Sequence, residues 1–319
     1  PDDKHSQSAF EKHMTNQVSC YGKNYLVNLV NQKGYEKPVK EAYENAITRL
    51  DHPLVNYTYF DFHHECKGMK FDRVSLLVNH LVKQGLSSHD FFSLDTTGDP
   101  RLRLQKSTVR TNCMDCLDRT NVVQTTLARW VLNDQLRSVG VLKQDDSVEN
   151  YPKFMYLFRN IWADHADVIS KAYSGTGALK TDFTRTGKRT TEGILQDGVN
   201  SLTRYVKNNF FDGKRQDAYD LITGAWDPKI YVPREDTRAW NVRLMPWIMY
   251  LSLFFLLASL FLPSSNSARP YRLEVGFVPV LSIIWVLVAL FSFCFILQHG
   301  MQYVGWPKLN RPAELKYYI

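Results

Sequence analysis

The chain has 319 residues, which is long enough to bury a full hydrophobic core and to form two domains. Its formal net charge of +7 suits an anionic partner, either a nucleic acid or a membrane surface. The sequence holds no nucleic-acid-binding motif, so we expect a membrane partner and no nucleic acid. The five cysteines show no pairing pattern typical of disulfides, which favours a reducing, cytosolic environment.

The first half of the chain alternates between strand and helix patterns. The predicted elements are a strand at 24–30, a helix from Pro38 to Leu50, a strand at 55–62, a helix at 74–81 that Gly85 ends, and strands at 91–94 and 107–112. Apolar residues at helical spacing follow the last strand, at 123–131. This order predicts an α/β layer structure, with the apolar stripes of both helices in the core.

A cysteine and an arginine six positions apart, Cys113 and Arg119, lie between the strand 107–112 and the following helix. The positive end of a helix and a nearby guanidinium both lower the pKa of a thiol, so we expect Cys113 to be a thiolate nucleophile. Arg119 can bind two phosphoryl oxygens, and loop amides at a helix start can bind the same anion. We call residues 113–119 the cysteine loop. It predicts a phosphatase with a cysteine-phosphatase-like strand-loop-helix site.

The leaving oxygen needs a proton, and the phosphocysteine needs an activated water, so a carboxyl group should lie close by. Asp115 is our first candidate and Asp118 the second. The chemistry requires neither a metal nor another cofactor. The cysteine loop contains no glycine, so we expect its backbone to rearrange before it closes around phosphate.

Two other interpretations of the cysteines remain open. Cys113 and Cys116 form a C-x-x-C pattern, which is also typical of a redox pair or of half a zinc site. A zinc ribbon needs a second close pair, whereas the other cysteines are isolated. Residues 63–66, with two histidines, a glutamate and a cysteine, form a second, weaker metal-site candidate.

Beyond Asp134 the pattern is mostly helical, with one apolar stripe at 154–169 and another that begins at Leu202. The stretch 175–191 between them is rich in glycine, threonine and basic residues, which indicates a functional loop. In the sequence, only one acid, Asp182, opposes the basic cluster in and just before this stretch, which consists of Lys171, Lys180, Arg185, Lys188 and Arg189. We expect Lys180 and Arg185 to contact a phosphorylated headgroup.

The last third predicts a membrane hairpin, with a linker at 227–246, spans at 247–262 and 275–297, a lumenal turn at 263–274 and a cytosolic tail at 298–319. The first span is short, and Val242 and Leu244 can extend it while Arg243 reaches the headgroups. Basic residues flank both outer ends of the hairpin more densely than its turn. This bias predicts that both chain ends are cytosolic.

The twelve residues 110–121 closely resemble the signature of the Sac-type (suppressor-of-actin) phosphoinositide phosphatases. Similarity continues in 175–187 and 212–218, and the resemblance covers about residues 1–226. Together with the two spans, it resembles the integral-membrane members of the endoplasmic reticulum and Golgi. It implies a phosphoinositide lipid substrate, first phosphatidylinositol 4-phosphate and second the 3-phosphate.

The resemblance also implies roles for individual residues. The cysteine that matches Cys113 is the nucleophile, and the arginine that matches Arg119 holds phosphate. Asn112 and Thr120, which flank the cysteine loop, are expected to bind substrate. The family carries a separate amino-terminal subdomain, and we expect this chain to correspond to the catalytic region and the membrane anchor.

Two rival functions belong to other classes. A non-catalytic membrane adaptor would bind phosphoinositide without hydrolysing it, although the presence of both Cys113 and Arg119 argues against that function. A membrane-tethered thiol oxidoreductase would need Cys113 and Cys116 equally. The sequence does not identify a protein partner, so protein partners stay unknown.

Overall fold

A computed structural model describes residues 3–96, 101–229, 236, 238–261 and 277–309. It contains two compact units, residues 1–201 and residues 202–319. The predicted lumenal turn at 263–274 lies outside the described residues, and so do residues 310–319 of the predicted tail.

The described part of the chain is mostly helical. The helices are α1 (Asp3–Tyr21), α2 (Lys37–Leu50), α3 (Phe62–Glu65), α4 (Val74–Lys83), α5 (Asp118–Ser138), α6 (Pro152–Ser174), α7 (Thr181–Thr186), α8 (Thr191–Phe210), α9 (Asp212–Thr223), α10 (Trp240–Phe261), α11 (Phe277–Gln298) and α12 (Gly300–Tyr303). The strands are β1 (Lys23–Asn28), β2 (Val55–Tyr59), β3 (Ser93–Asp95), β4 (Arg101–Arg103) and β5 (Ser107–Asn112).

Three of the strands form a parallel sheet in the order β2-β1-β5. The carboxyl ends of parallel strands share one edge of a sheet, so the segments that follow β1 and β5 begin side by side. β3 and β4 form a separate antiparallel pair. The α/β prediction is therefore confirmed, and the predicted strand at 91–94 corresponds to β3 outside the main sheet.

The core packs α4 and α5 against the central strand. Val74, Leu77 and Leu81 of α4 are buried in one cluster with Val27 of β1 and Val123 of α5. This cluster includes Cys113, so the core encloses one side of the cysteine loop. The apolar stripe of α4 is in the core, as predicted.

The apolar stripe of α2 is not in the core, which corrects the prediction for 39–50. None of its residues is fully buried. Tyr43 instead makes edge contacts with Phe10 of α1 and Tyr57 of β2. The stripe on α6 is also largely uncovered, since Leu157 is 60% exposed and Ile161 is 65% exposed. The fully covered side of α6 carries Met155, Phe158 and small residues.

Helices α10 and α11 are long and apolar enough to cross a membrane. The qualifying stretches, Trp240–Ser259 and Val280–Gln298, have mean hydropathies of 1.6 and 2.9. Only 22% and 6% of them are buried, whereas a soluble core helix would be mostly buried. These helices indicate membrane association.

The two helices pair with each other, and α10 begins earlier than the predicted first span. Ser259 and Ser282 hydrogen-bond across the pair at 2.9 Å, and Phe255 stacks on Trp285. α10 starts at Trp240, inside the stretch 227–246 that the sequence assigned to a linker. Helix α10 is 22 residues long and contains one charged residue, Arg243. Its apolar residues are compatible with a membrane span.

Candidate active site

The cysteine loop leaves β5 at Asn112 and enters α5 at Asp118, at the carboxyl edge of the parallel sheet. The first residue after β1 remains paired to the end of β5, because the Leu29 amide donates to the Asn112 carbonyl at 2.7 Å. This edge is where ligands usually bind in such sheets. The segments after β1 and β5 therefore form the two sides of the site.

Cys113 is buried, with 3% of its surface exposed, and its sulfur lies among polar groups of its own loop. The Thr120 hydroxyl donates to Cys113 Sγ at 3.5 Å, and Asp115 Oδ1 lies 3.8 Å from the same sulfur. Cys116 Sγ accepts a hydrogen bond from the Cys113 amide at 3.4 Å. Cys116 has a left-handed backbone, with φ of 52°, which is strained for a residue other than glycine.

The two cysteines have opposite pKa changes. The hydrogen bond with Cys116 and burial raise the pKa of Cys113, and they outweigh the stabilising effects of Thr120 and Arg119 on its thiolate. The hydrogen bond from the Cys113 thiol lowers the pKa of Cys116 to about 6. In this arrangement the opposite pKa changes favour ionisation of Cys116 over that of Cys113. The predicted thiolate at Cys113 thus requires a change in the loop.

Two loop amides that could bind phosphate are engaged by side chains of the loop itself. The Cys113 amide donates to Cys116 Sγ, and the Leu117 amide donates to Asp115 Oδ1 at 3.3 Å. An incoming phosphoryl group would have to replace both acceptors. This geometry agrees with the expectation that a loop without glycine rearranges before it binds phosphate.

Arg119 is held in a buried ion pair with Glu36. Its Nη1 and Nη2 donate to the two carboxylate oxygens of Glu36, both at 2.9 Å, and Nη1 also donates to the Leu29 carbonyl at 3.0 Å. The side chain of Glu36 is 4% exposed and that of Arg119 is 22% exposed. The contact joins the segment after β1 to the first turn of α5.

The charge of Glu36 is retained despite burial. Burial by itself would raise the pKa of this carboxyl group, but hydrogen bonds from Arg119 and from the Asn31 amide lower it below its ordinary value. The sequence analysis does not identify Glu36, since it lies 83 positions from Arg119 and stands in no motif. Pro38 indicates that a helix begins next to Glu36, but it does not indicate that Glu36 pairs with Arg119.

The other predicted residues of the loop occupy different positions around it. Asp118 Oδ1 accepts from the Leu179 amide at 2.8 Å, which ties the start of α5 to the family-like stretch 175–187. Asn112 lies beside Cys116, with Oδ1 3.8 Å from its sulfur, and donates from Nδ2 to Asn28 at 3.3 Å. Thr120 contacts the Cys113 sulfur, as given above.

Among the described residues, the hydrogen bonds and ion pairs of Lys180 and Arg185 are made with groups outside the cysteine loop. Lys180 is exposed, and its amide donates to Asp197. Arg185 donates to Asp164 at 2.7 Å and to Asn160 at 3.0 Å, both on α6. Their predicted contact with a phosphorylated headgroup requires a substrate that extends from the cysteine loop to these two side chains.

The basic cluster is more neutral than its sequence indicates. Arg189 pairs with both Asp182 and Asp197, and Arg185 pairs with Asp164 and Asp167. This corrects the expectation that Asp182 alone opposes the cluster, because the folding of α6 and α8 brings further acids to it. The stretch 181–186 is also helical, as α7, rather than a loop.

Comparisons with known proteins identify the family. A family model described as the SacI homology domain matches residues 1–67. The phosphatidylinositol-3-phosphatase SAC1 of Saccharomyces cerevisiae is 47% identical over 313 aligned residues, covering 96% of this chain and 49% of that protein. The same-named protein of Drosophila melanogaster is 37% identical, covering 95% of this chain and 51% of its own length. The phosphoinositide phosphatase SAC6 of Arabidopsis thaliana is 33% identical, with 95% and 51% covered.

The chain belongs to the Sac family. It spans about half the length of the curated relatives it matches. Residues 1–67, which match the family model, include β1, β2 and Glu36. The alignments to the Sac relatives cover nearly all of the chain. Both sides of the site therefore lie in sequence shared with this family.

The pairing of the two cysteines predicts the effect of removing Cys116. In Cys116→Ala, Cys113 loses the hydrogen bond that contributes most to its raised pKa. We expect the pH at which iodoacetamide alkylates Cys113 half-maximally to decrease, which mass spectrometry of the Cys113 peptide measures. Cys20→Ala, on exposed α1, serves as the control and should leave the pH midpoint unchanged. An unchanged or increased midpoint in Cys116→Ala would contradict the assignment.

The buried ion pair predicts a large loss of stability when its carboxylate is removed. In Glu36→Gln, the largely buried guanidinium of Arg119 loses the carboxylate with which it pairs, and we expect the free energy of unfolding to fall by about 3 kcal/mol. Denaturant unfolding of the purified chain in detergent measures this. The control is Glu149→Gln, because Glu149 pairs with Arg129 at 3.0 Å but is 43% exposed. That change should cost at most about 1 kcal/mol, and equal losses would refute the difference.

Proposed function

We propose that this chain is the catalytic part of a phosphoinositide phosphatase and hydrolyses a monoester phosphate through a phosphocysteine on Cys113. The observation that carries the proposal is the pairing of Arg119 with Glu36 and Leu29 beside the buried Cys113. The family relationship supports the same chemistry. The activity of the whole protein is part of the proposal, since the chain covers half of its relatives.

The way in which Glu36 holds Arg119 suits phosphate binding. Glu36 takes one N–H from each terminal nitrogen, and Leu29 takes another from Nη1. The guanidinium also has an Nε–H and a second Nη2–H, which lie along its other edge. These two donors match the spacing of two phosphoryl oxygens. Glu36 therefore positions Arg119 without using the edge that phosphate needs.

The reaction begins with the proton of the Cys113 thiol. Asp115 Oδ1, 3.8 Å from the sulfur, takes this proton as the sulfur attacks phosphorus. An S–P bond forms, the bond from phosphorus to the inositol oxygen breaks, and Asp115 gives the proton to that oxygen. Asp115 then takes a proton from water, which attacks the phosphocysteine and releases phosphate and the Cys113 thiolate, and Asp115 returns this proton to the thiolate.

The lipid substrate is a phosphatidylinositol monophosphate. The family resemblance, taken together with the two candidate spans, predicts the 4-phosphate, whereas the names of the yeast and fly relatives specify a 3-phosphatase. Two apolar helices support an enzyme that is anchored in the membrane. We place it in the endoplasmic reticulum and Golgi membranes, with the catalytic region and both chain ends in the cytosol.

One observation favours the rival function of a non-catalytic phosphoinositide-binding adaptor. Cys113 is buried with a raised pKa, and two amides of its loop are already engaged. An adaptor would keep this arrangement when lipid binds, whereas an enzyme must change it. Measurement of turnover separates the two functions.

We expect phosphate release from vesicles that contain phosphatidylinositol 4-phosphate. Cys113→Ser should reduce the rate at least about 1,000-fold, because it removes the nucleophile. Cys116→Ser is the matched control in the same loop and should remain active, which also excludes a dithiol oxidoreductase. Vesicles with the 3- and 5-phosphates rank the substrates.

The same assay on a chimera that also carries the part of the yeast relative that this chain does not cover tests the adaptor. Absence of phosphate release from both this chain and the chimera would support the adaptor. Activity that survives in Cys113→Ser would refute the mechanism.

The two aspartates are distinguished by the leaving group. Asp115→Asn should lower the rate on lipid by about 100-fold or more, and the rate on 4-methylumbelliferyl phosphate by a smaller factor, because this leaving group needs little protonation although the thiol and the water still need a base. Asp118→Asn should affect both substrates alike, because Asp118 holds the Leu179 amide. The reverse pattern would make Asp118 the general acid.

A further inference from the structure

The stretch 212–218 resembles the Sac family, but it lies outside the site around Cys113. It forms the beginning of α9. Residues 304–309, which follow α12 and the second candidate span, lie against it. We call 212–218 the Gly213 block and 304–309 the tail segment. Both belong to the compact unit 202–319.

Four hydrogen bonds join the tail segment to α9 and the residue range just before it. The Gly213 amide donates to the Gly305 carbonyl at 2.7 Å, and the Gly305 amide donates to the Phe210 carbonyl at 2.6 Å. The amides of Lys308 and Leu309 both donate to Asp217 Oδ1, at 2.8 and 2.9 Å. The backbone of the tail segment is therefore bound at both of its ends.

The close approach of the two backbones requires a glycine at position 213. A Cβ atom there would lie 2.1 Å from the Gly305 carbonyl oxygen and 2.2 Å from the carbonyl carbon of Trp306. These are backbone atoms, which cannot move aside as a flexible side chain can. Glycine costs helix stability relative to alanine, by about 1 kcal/mol on helix-propensity scales, so its place in α9 is explained by contact with the tail segment.

Two further hydrogen bonds bring the two ends of the candidate hairpin next to this contact. The Trp306 indole donates to the Met301 carbonyl at 2.8 Å, which turns the chain after α12. On the other side, Arg238 before α10 donates to the Gln302 carbonyl at 2.9 Å. The entry to the first candidate span and the exit from the second are thus joined next to the tail segment.

We propose that the Gly213 block is a docking site whose occupant is the chain's own tail segment. Docking holds α9 a few residues from the end of α11, and α12 occupies that interval. The docked tail segment then limits the distance between α9 and the second span. The length of the stretch between α9 and α10 does not limit it. This function of the block is independent of the proposed phosphatase activity.

The test is trypsin cleavage after Lys308 in the full chain in detergent, followed by mass spectrometry. Gly213→Ala forces the backbones apart, and we expect cleavage to accelerate at least about tenfold. Gly198→Ala is the matched control, because a Cβ at this glycine of α8 would meet no atom within 4 Å. It should leave the cleavage rate unchanged. Equal rates for Gly213→Ala and wild type overturn the proposal.

Hydrogen exchange provides a second measurement that does not depend on how Gly213→Ala folds. In wild type, the amides of Gly305, Lys308 and Leu309 should exchange at least about tenfold more slowly than in an unstructured peptide of the same sequence. Asp217→Ala removes the acceptor for two of them and should abolish the protection of Lys308 and Leu309. Unprotected amides in wild type, or protection that persists in Asp217→Ala, overturn the proposal.

Discussion

The contact between Glu36 and Arg119 determines the geometry of the site more than any other interaction. It joins the segment after the central strand to the first turn of α5, and it fixes the plane of the guanidinium. Burial of two charges is costly, and their attraction compensates only with good geometry and additional hydrogen bonds. Here the Asn31 amide and the Leu29 carbonyl provide those bonds. The pair thus contributes orientation rather than large net stability.

The sheet around this contact explains why the two groups meet. β1 lies between β2 and β5, so the chain emerges from β1 and β5 at neighbouring points of one edge. Cys113 is then held between the buried core below it and Arg119 beside it. The core determines the depth of the sulfur, and Glu36 determines the position of the cation. Nucleophile and phosphate-binding group are positioned by different parts of the chain.

Local patterns predicted the parts of the site that depend on neighbouring residues. The strand Ser107–Asn112, the cysteine loop and the helix after it follow from β-branched residues, the C-x5-R spacing and apolar periodicity. Glu36 could not be predicted, because its partner Arg119 is distant in sequence and Glu36 itself stands in no motif. The same limit applies to helix stripes. Periodicity shows which face of α6 is apolar, but the 65% exposure of Ile161 depends on which elements pack there.

The direction of the Cys113 pKa shows how the loop would respond to substrate. Its pKa is raised first by the hydrogen bond with Cys116 and then by burial. The hydrogen bond from the Cys113 amide holds the Cys116 sulfur in place, although the left-handed backbone of Cys116 is strained. A phosphoryl group that takes over this amide would displace Cys116 and remove the main cause of the raised pKa. Under the proposed function, binding of phosphate therefore lowers the pKa of Cys113 and favours the thiolate that attacks phosphorus.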